Sequence, residues 1–287
     1  MKKLGYLLIL LLTLGCAKEY ETMSGYIDIG KANLYCEYMG EGKPLIMIHS
    51  GLMDRRMWDD QFQYFSNKYK AIRYDIRGYG LTKSSPDTFS HYNDLSHFME
   101  ELNIEKASLI GHAMGARIAV DFALQFPEKV SVLILTSPAI SGYNYSSEIL
   151  ANYIKAYNKA VKNDNIDEII DAFQRAWTYG PYRASTDVEQ FVRDWVKMIA
   201  TESLANYNPM IKATELIPPA AQRLKQIKVP ILIITGDLDM PDIHQLADFI
   251  QESAPNAKKV NITHTAHMVN MEKPNEFNKI VSKFLSK

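Results

Sequence analysis

Apolar positions along this chain fall into runs of strand length separated by stretches of helical period. Continuous apolar runs lie at 44–49 (PLIMIH), 69–75 (YKAIRYD), 106–111 (KASLIG), 130–136 (VSVLILT) and 229–236 (VPILIITG), with a shorter one at 258–263 (KKVNIT). Runs of this kind suit strands buried on both faces. Two earlier segments, GYIDIG and NLYCEYMG, alternate instead and predict a hairpin turning near Gly30 and Lys31. Helical stretches separate most of the runs, such as 91–102 and 116–126, and a C-terminal helix is expected from Pro274, burying Phe277, Ile280, Val281 and Phe284. Strand and helix in alternation predict an α/β fold, a mostly parallel sheet with helices on both faces.

One interval breaks the rhythm. Between the runs at 130–136 and 229–236 lie about ninety residues without a convincing strand, far beyond an ordinary connection. Ile166, Ile169, Ile170, Phe173 and Trp177 keep helical spacing, as do Val188, Phe191, Val192, Trp195 and Ile199. Thr186 and Glu189 predict a capping box for the second of these helices. Residues 141–217 are therefore expected to form a helical cap inserted after the sixth strand, with 24–140 and 218–287 forming the core. Open parallel sheets bind ligands at the carboxyl ends of their strands, so the cap should lie over that edge.

Composition narrows the partners. With 287 residues and a net charge of −1, and with no basic stripe carrying interleaved aromatics, the chain is not built for nucleic acid. At the N-terminus Lys2 and Lys3 precede an apolar run from Leu4 to Leu14, a secretory layout too short for a membrane span. The run closes on Leu12-Thr13-Leu14-Gly15-Cys16, which resembles a bacterial lipoprotein box with Thr13 less usual than leucine. The expectation is a signal peptide at 1–15, a lipid on Cys16, a tether over 16–23 and a membrane-anchored protein on the periplasmic or cell-surface side. A plain signal peptide with a chance cysteine and an uncleaved anchor are the alternatives. Cys36, the second of two cysteines, would then have no disulfide partner and should be a small buried apolar residue.

The residues that follow the strands carry the chemistry. They read HSGLMDRRMW, DIRGYG, GHAMG, GDLDMPD and HTAHMVNMEKP, in that order. Together they resemble the α/β-hydrolase family, from about residue 24 to the C-terminus. The resemblance implies the α/β-hydrolase fold and a site of the Ser-His-Asp type. It implies Asp239 as the triad acid, ahead of Asp237, and His267 as the base, with Glu272 and Pro274 completing the pattern and His264 left as a loop histidine. It implies oxyanion donors at the backbone N–H groups of Gly51 and Met114. In HSG, Ser50 replaces the family's usual glycine. Asp75, Arg77 and Gly78 are expected to fix a turn, and His112 to support the elbow from its flank. His49, His91, His97 and His244 are expected to be ordinary loop or surface histidines.

At one position the chain departs from the family. The segment LIGHAMGARIA has the glycines of a nucleophile elbow at Gly111 and Gly115, but Ala113 stands at the nucleophile position. Alanine has no lone pair with which to form an acyl-enzyme. Three readings stay open: an inactivated Ser→Ala form of a serine hydrolase, base chemistry by His267 and Asp239 without a nucleophile, and a non-catalytic ligand-binding protein on a hydrolase fold. The first two make the substrate a small ester-like or carbonyl-containing molecule. The scattered histidines and the lack of a thiolate pair suggest no metal, and the absence of a phosphate-binding glycine loop suggests no cofactor.

Overall fold

The computed structural model describes residues 20–206 and 211–287. The Leu4–Leu14 run and Cys16 lie outside the described residues. The strands are β1 (Met23–Asp28), β2 (Ala32–Met39), β3 (Pro44–Ile48), β4 (Lys70–Tyr74), β5 (Lys83–Ser84), β6 (Ala107–His112), β7 (Val130–Thr136), β8 (Ile231–Gly236) and β9 (Ala257–Ile262). They form one sheet in the order β1-β2-β4-β3-β6-β7-β8-β9, with the short β5 paired to β2. The β1–β2 hairpin and the β2–β4 pair are antiparallel. From β4 to β9 every neighbour is parallel.

The continuous apolar runs become strands because both of their faces are covered. In β3, Ile46 and Ile48 point into one core layer while Leu45 and Met47 point into the other. In β8, Ile231 and Ile233 divide from Leu232 and Ile234 in the same way. This is the two-residue period of a strand read through an all-apolar segment. One layer is closed by α2 (His91–Glu101), α3 (Met114–Gln125) and α7 (Pro241–Ser253), through residues such as Phe98, Ala119 and Leu246. The other is closed by α1 (Asp59–Phe65) and α9 (Pro274–Leu285), through Phe62, Phe65, Phe277 and Val281. Between them, α8 (Val269–Glu272) leads into α9. Cys36 is fully buried, and burial pushes its thiol up to about 12, so it stays protonated and packs as an apolar residue.

Residues between β7 and β8 supply α4 (Glu148–Lys162), α5 (Ile166–Phe173) and α6 (Gln190–Ala205). The helix α5 widens into a π turn, Gln174–Tyr179, that ends at Gly180. Val192, Val196 and Ile199 of α6 join the same apolar layer as α1 and α9. The expected capping box at Thr186 does not form. Residues 185–187 make a separate 3-10 turn, in which the Asp187 carboxylate accepts the Ala184 N–H at 2.9 Å. The chain is extended at Val188, so α6 starts only at Gln190, with no side-chain cap.

The tightest crossing lies where α3 leaves β6 and passes over β3. A Cβ on Gly111 would sit 2.3 Å from the carbonyl oxygen of Gly115, and one on Gly115 would sit 2.1 Å from that of Ile48. Both obstacles are backbone and cannot swing aside. In an open helix Ala would be favoured over Gly by about 1 kcal/mol, but overpacking against rigid neighbours costs roughly 1–3 kcal/mol or more. Gly115→Ala is therefore expected to lower stability by about 2 kcal/mol in urea denaturation despite the better helix former. Gly25→Ala, where an added Cβ meets nothing within 4 Å, is expected to change stability by less than about 0.5 kcal/mol. Equal midpoints for the two variants would contradict the crossing described.

Candidate active site

The crossing produces the elbow. Ala113 is held at φ 47° and ψ −106°, a conformation that costs a non-glycine residue of order 1–3 kcal/mol and persists only where its surroundings impose it. Its N–H donates to the carbonyl of Thr136 at 3.0 Å, and its own carbonyl accepts from Arg117 and Ala139 at 3.1 and 3.3 Å. Leu52, beyond β3, and Ser137, just after β7, also take positive φ, at 55° and 40°. Backbone strain is thus gathered at the carboxyl ends of three neighbouring strands. Ala113 and Met114 stay partly exposed between buried neighbours, so the elbow faces accessible space.

The loop after β3 lies against the elbow. An added Cβ at Gly51 would lie 3.9 Å from both the Met114 sulfur and the Tyr79 hydroxyl. Among the described residues, the N–H groups of Gly51 and Met114 make no hydrogen bond, so both stay available to a ligand. His49 is not a solvated loop residue. It is fully buried, its Nδ1 donates to the Ser50 carbonyl at 2.7 Å, and its Nε2 accepts the Ile76 N–H at 2.9 Å. Burial lowers its pKa, consistent with the neutral ring those two bonds require. Asp75 accepts from the Arg55 N–H, the Arg55 guanidinium and the Leu81 N–H at 2.8–2.9 Å. Arg77 forms a two-pronged bond with Asp94, at 2.8 Å in each arm, and the turn between them passes through Gly78 at φ 90°. These groups brace the loops and make no bond to His267.

Asp239 follows β8 and His267 follows β9, and the fold brings them together. His267 Nδ1 lies 3.0 and 3.2 Å from the two carboxylate oxygens of Asp239, both residues being almost wholly buried. Burial opposes ionisation of Asp239. The imidazole and the Met240 N–H outweigh it and hold the carboxyl below its ordinary pKa. Asp237 points to solvent and accepts the Thr265 N–H at 3.3 Å. His264 is exposed at φ 59°.

Two further side chains fix the backbone of His267. Its carbonyl accepts from His112 Nε2 at 2.8 Å and from the Ser137 hydroxyl at 3.0 Å. His112 is wholly buried, with its ring 4.9 Å from that of His267. Burial, helped by the neighbouring imidazole, pushes its pKa down to about 3, so it is neutral and donates from Nε2. The flank residue expected to support the elbow instead carries the loop of His267. No motif marks Ser137 in the sequence, and its position directly after a buried strand is the one available signal. Above the ring of His267 lies the indole of Trp177, 4.5 Å away, contributed by the π turn.

The arrangement combines an imidazole oriented by an ionised carboxylate with two unpartnered N–H donors. It offers no side-chain oxygen at residue 113.

A family model described as the alpha/beta hydrolase fold matches residues 43–274. A putative 2-succinyl-6-hydroxy-2,4-cyclohexadiene-1-carboxylate synthase from Bacillus subtilis is 27% identical over 229 residues, 76% of this chain and 81% of that one. A pimeloyl-[acyl-carrier protein] methyl ester esterase from Hamiltonella defensa is 24% identical over 261 residues, covering 89% of this chain and 98% of its own. The crystal structure of a bromoperoxidase from Bacillus anthracis superposes with a TM-score of 0.75 at 23% identity, over 92% of this chain and all of that one. The strand order, the elbow and the matched span agree, and the chain belongs to the α/β-hydrolase fold family.

Proposed function

We propose that the protein acts on a small ester-like or carbonyl-containing substrate, with His267 as the base, Asp239 as the acid that orients it, and the N–H groups of Gly51 and Met114 as the oxyanion donors. The observation that carries this reading is the Asp239–His267 bond of 3.0 Å, kept beside an elbow whose residue 113 is alanine. A triad with no nucleophile still has its base. In a single-step hydrolysis, His267 Nε2 takes a proton from water as the water oxygen bonds to the carbonyl carbon. The carbonyl oxygen becomes an oxyanion against the two N–H donors. Collapse then breaks the bond to the leaving alkoxide, which takes the proton back from His267. Hydrolase and esterase names among the relatives favour a carbonyl substrate without identifying it, since one fold hosts many activities. Capture of a ligand without turnover is the competing reading, favoured by the missing oxygen at residue 113.

We also propose that Cys16 carries the lipid of a membrane anchor. Met23 pairs with Tyr38, beside Met39, which pairs with Ala71 at the start of β4. The first described strand therefore begins at the amino edge of the parallel strands, opposite the site. Seven residues from Cys16 to Met23 reach at most about 25 Å. A lipid there would turn the amino edge to the bilayer and the site to the aqueous phase, which fits a water-soluble substrate.

Ala113→Ser is expected to create or restore serine-hydrolase activity, seen as burst kinetics with an activated ester and fluorophosphonate labelling at residue 113. Adding His267→Ala to it should abolish the gain. As it stands, the Ala113 protein should bind small esters saturably and turn them over slowly, since a site without its nucleophile keeps roughly 10³–10⁴-fold acceleration over water. A folded Ala113→Ser variant with neither label nor turnover would favour the ligand-binding reading.

His112 gives a pH test. Its folded pKa of about 3 lies below the ordinary value near 6.5, so the unfolded chain takes up this proton first. Its contribution to stability is present above pH 6.5 and is lost as the pH falls toward 3. His112→Gln should make the stability curve between pH 6 and 4 less steep by one proton, about 1.4 kcal/mol per pH unit. Parallel urea curves for parent and variant would mean that His112 takes up its proton in the folded state.

For the anchor, Cys16→Ser should move the protein from the membrane to the soluble exported fraction. A variant that stays as firmly membrane-bound as the parent would show that a lipid on this cysteine is not what holds it.

A further inference from the structure

The segment between Trp177 and Arg183 touches both loops of the dyad. Gly180 has φ 72°, and a Cβ there would lie 2.8 Å from the carbonyl oxygen of Leu238 and 2.9 Å from the Cβ of Ala266. Leu238 directly precedes Asp239, and Ala266 directly precedes His267. The backbone at Gly180 thus presses on the acid loop and the base loop together.

Arg183 fastens this segment down. Its Nε donates to the Tyr179 carbonyl at 2.9 Å and its Nη2 to the Thr178 carbonyl at 3.0 Å, occupying acceptors that the end of the π turn leaves free. The same guanidinium binds both oxygens of Glu272, at 2.6 and 3.1 Å, and Nη1 reaches the His264 carbonyl at 3.4 Å. Glu272 in turn accepts the Ala266 N–H at 2.9 Å. One buried ion pair therefore holds the end of the π turn and both ends of the 264–266 segment that leads into His267.

Simple attachment does not require this pair. The two ends of the 141–217 segment are secured elsewhere, where the Ser141 hydroxyl donates to Asp121 at 2.8 Å and accepts the Ala220 N–H at 2.9 Å. A buried ion pair also gives little net stability over an apolar contact of the same volume, and its advantage is directional bonding. Here the direction is set on the backbone that aims the imidazole.

We propose that Arg183 and Glu272 are positioning residues for His267, so that seating of Trp177 over the imidazole and alignment of the Asp239–His267 bond are one event. The proposal rests on the reading of His267 as the base and adds how that base is aligned.

The test uses the full protein with Ala113 in place. Arg183→Met combined with Glu272→Met removes both charges, so no lone charge is left buried. In ¹⁵N-histidine-labelled protein, the low-field Nδ1–H resonance of His267, assigned by its absence in His267→Ala, reports the bond to Asp239. Acrylamide quenching, corrected with Trp177→Phe, reports the cover over the imidazole. The expected result is a cooperatively folded double variant in which the resonance is lost to exchange and Trp177 is quenched more readily. A resonance that persists would overturn the proposal, whether or not Trp177 becomes exposed. Should the double variant fail to fold, Glu272→Gln keeps an acceptor for Ala266 and exchanges the ion pair for a weaker charge–amide hydrogen bond to Arg183. It should broaden the resonance, and an unchanged resonance there would overturn the proposal equally. In the Ala113→Ser background, the limiting rate of fluorophosphonate labelling should fall about tenfold to a hundredfold, with a smaller change in the half-saturating concentration. If Ala113→Ser alone takes no label, the hydrolase reading fails, while the resonance and the quenching still decide whether Arg183 and Glu272 position His267.

Discussion

The close passage of α3 over β3 is the constraint on which the site depends. Gly111 and Gly115 let two backbones meet where a single methyl group would collide with a carbonyl oxygen. Once the helix starts there, the residue between strand and helix has no choice but the strained turn, and three hydrogen bonds hold it in place. The conformation of residue 113 is set by its neighbours, so it does not depend on the side chain the turn presents. That is why the elbow survives with alanine. Strain of order 1–3 kcal/mol is carried by the packed crossing, and the hydroxyl of a nucleophile would contribute little to it.

From that turn outward, the site is organised by neutral and charged groups kept in separate places. His49 and His112 are buried and neutral, and each uses its Nε2 to join loops distant in sequence. Asp239 is equally buried but ionised, because an imidazole and the Met240 N–H converge on it. A carboxylate in that setting fixes the tautomer of His267, placing the proton on Nδ1 and leaving Nε2 as the basic nitrogen. The same carboxylate without those partners would be protonated by burial alone and could not orient the base.

Much of this was legible in the sequence, for physical reasons that vary from element to element. The central strands β3 and β8 could be read because burial on both faces demands nearly unbroken apolar runs, and α9 because Phe277, Ile280, Val281 and Phe284 keep a helical stripe. The two-residue β5 leaves no pattern, since an edge pairing of that length buries almost nothing. The π turn after α5 leaves none either, because Trp177 fits a regular helix equally well. Thr186 and Glu189 have the spacing of a cap, but the carboxylate of Asp187 captures the local N–H first. In the site, the family motifs pointed to Asp239 and His267 because each follows a strand. The partners that hold His267 were hidden. His112 reaches it across 155 positions, and Arg183 reaches Glu272 across 89. Contacts of that kind are specified by the folded geometry and by no local pattern.

The alanine changes what the pocket must accomplish. In a serine enzyme the base acts on a hydroxyl fixed to the protein, so its geometry is settled by the elbow. Under the proposed hydrolytic reading, the base then acts on something that diffuses in, a water or a substrate proton, and the entropy of placing it is no longer supplied by the fold. The remaining means of placing it are the walls around Nε2. Trp177, with its indole 4.5 Å from the imidazole, forms one of these walls. The difference between slow chemistry and simple capture of a ligand then lies in how closely those walls hold a water against the carbonyl. Under the hydrolytic reading proposed above, the segment from Trp177 to Arg183 gains importance when the nucleophile is absent.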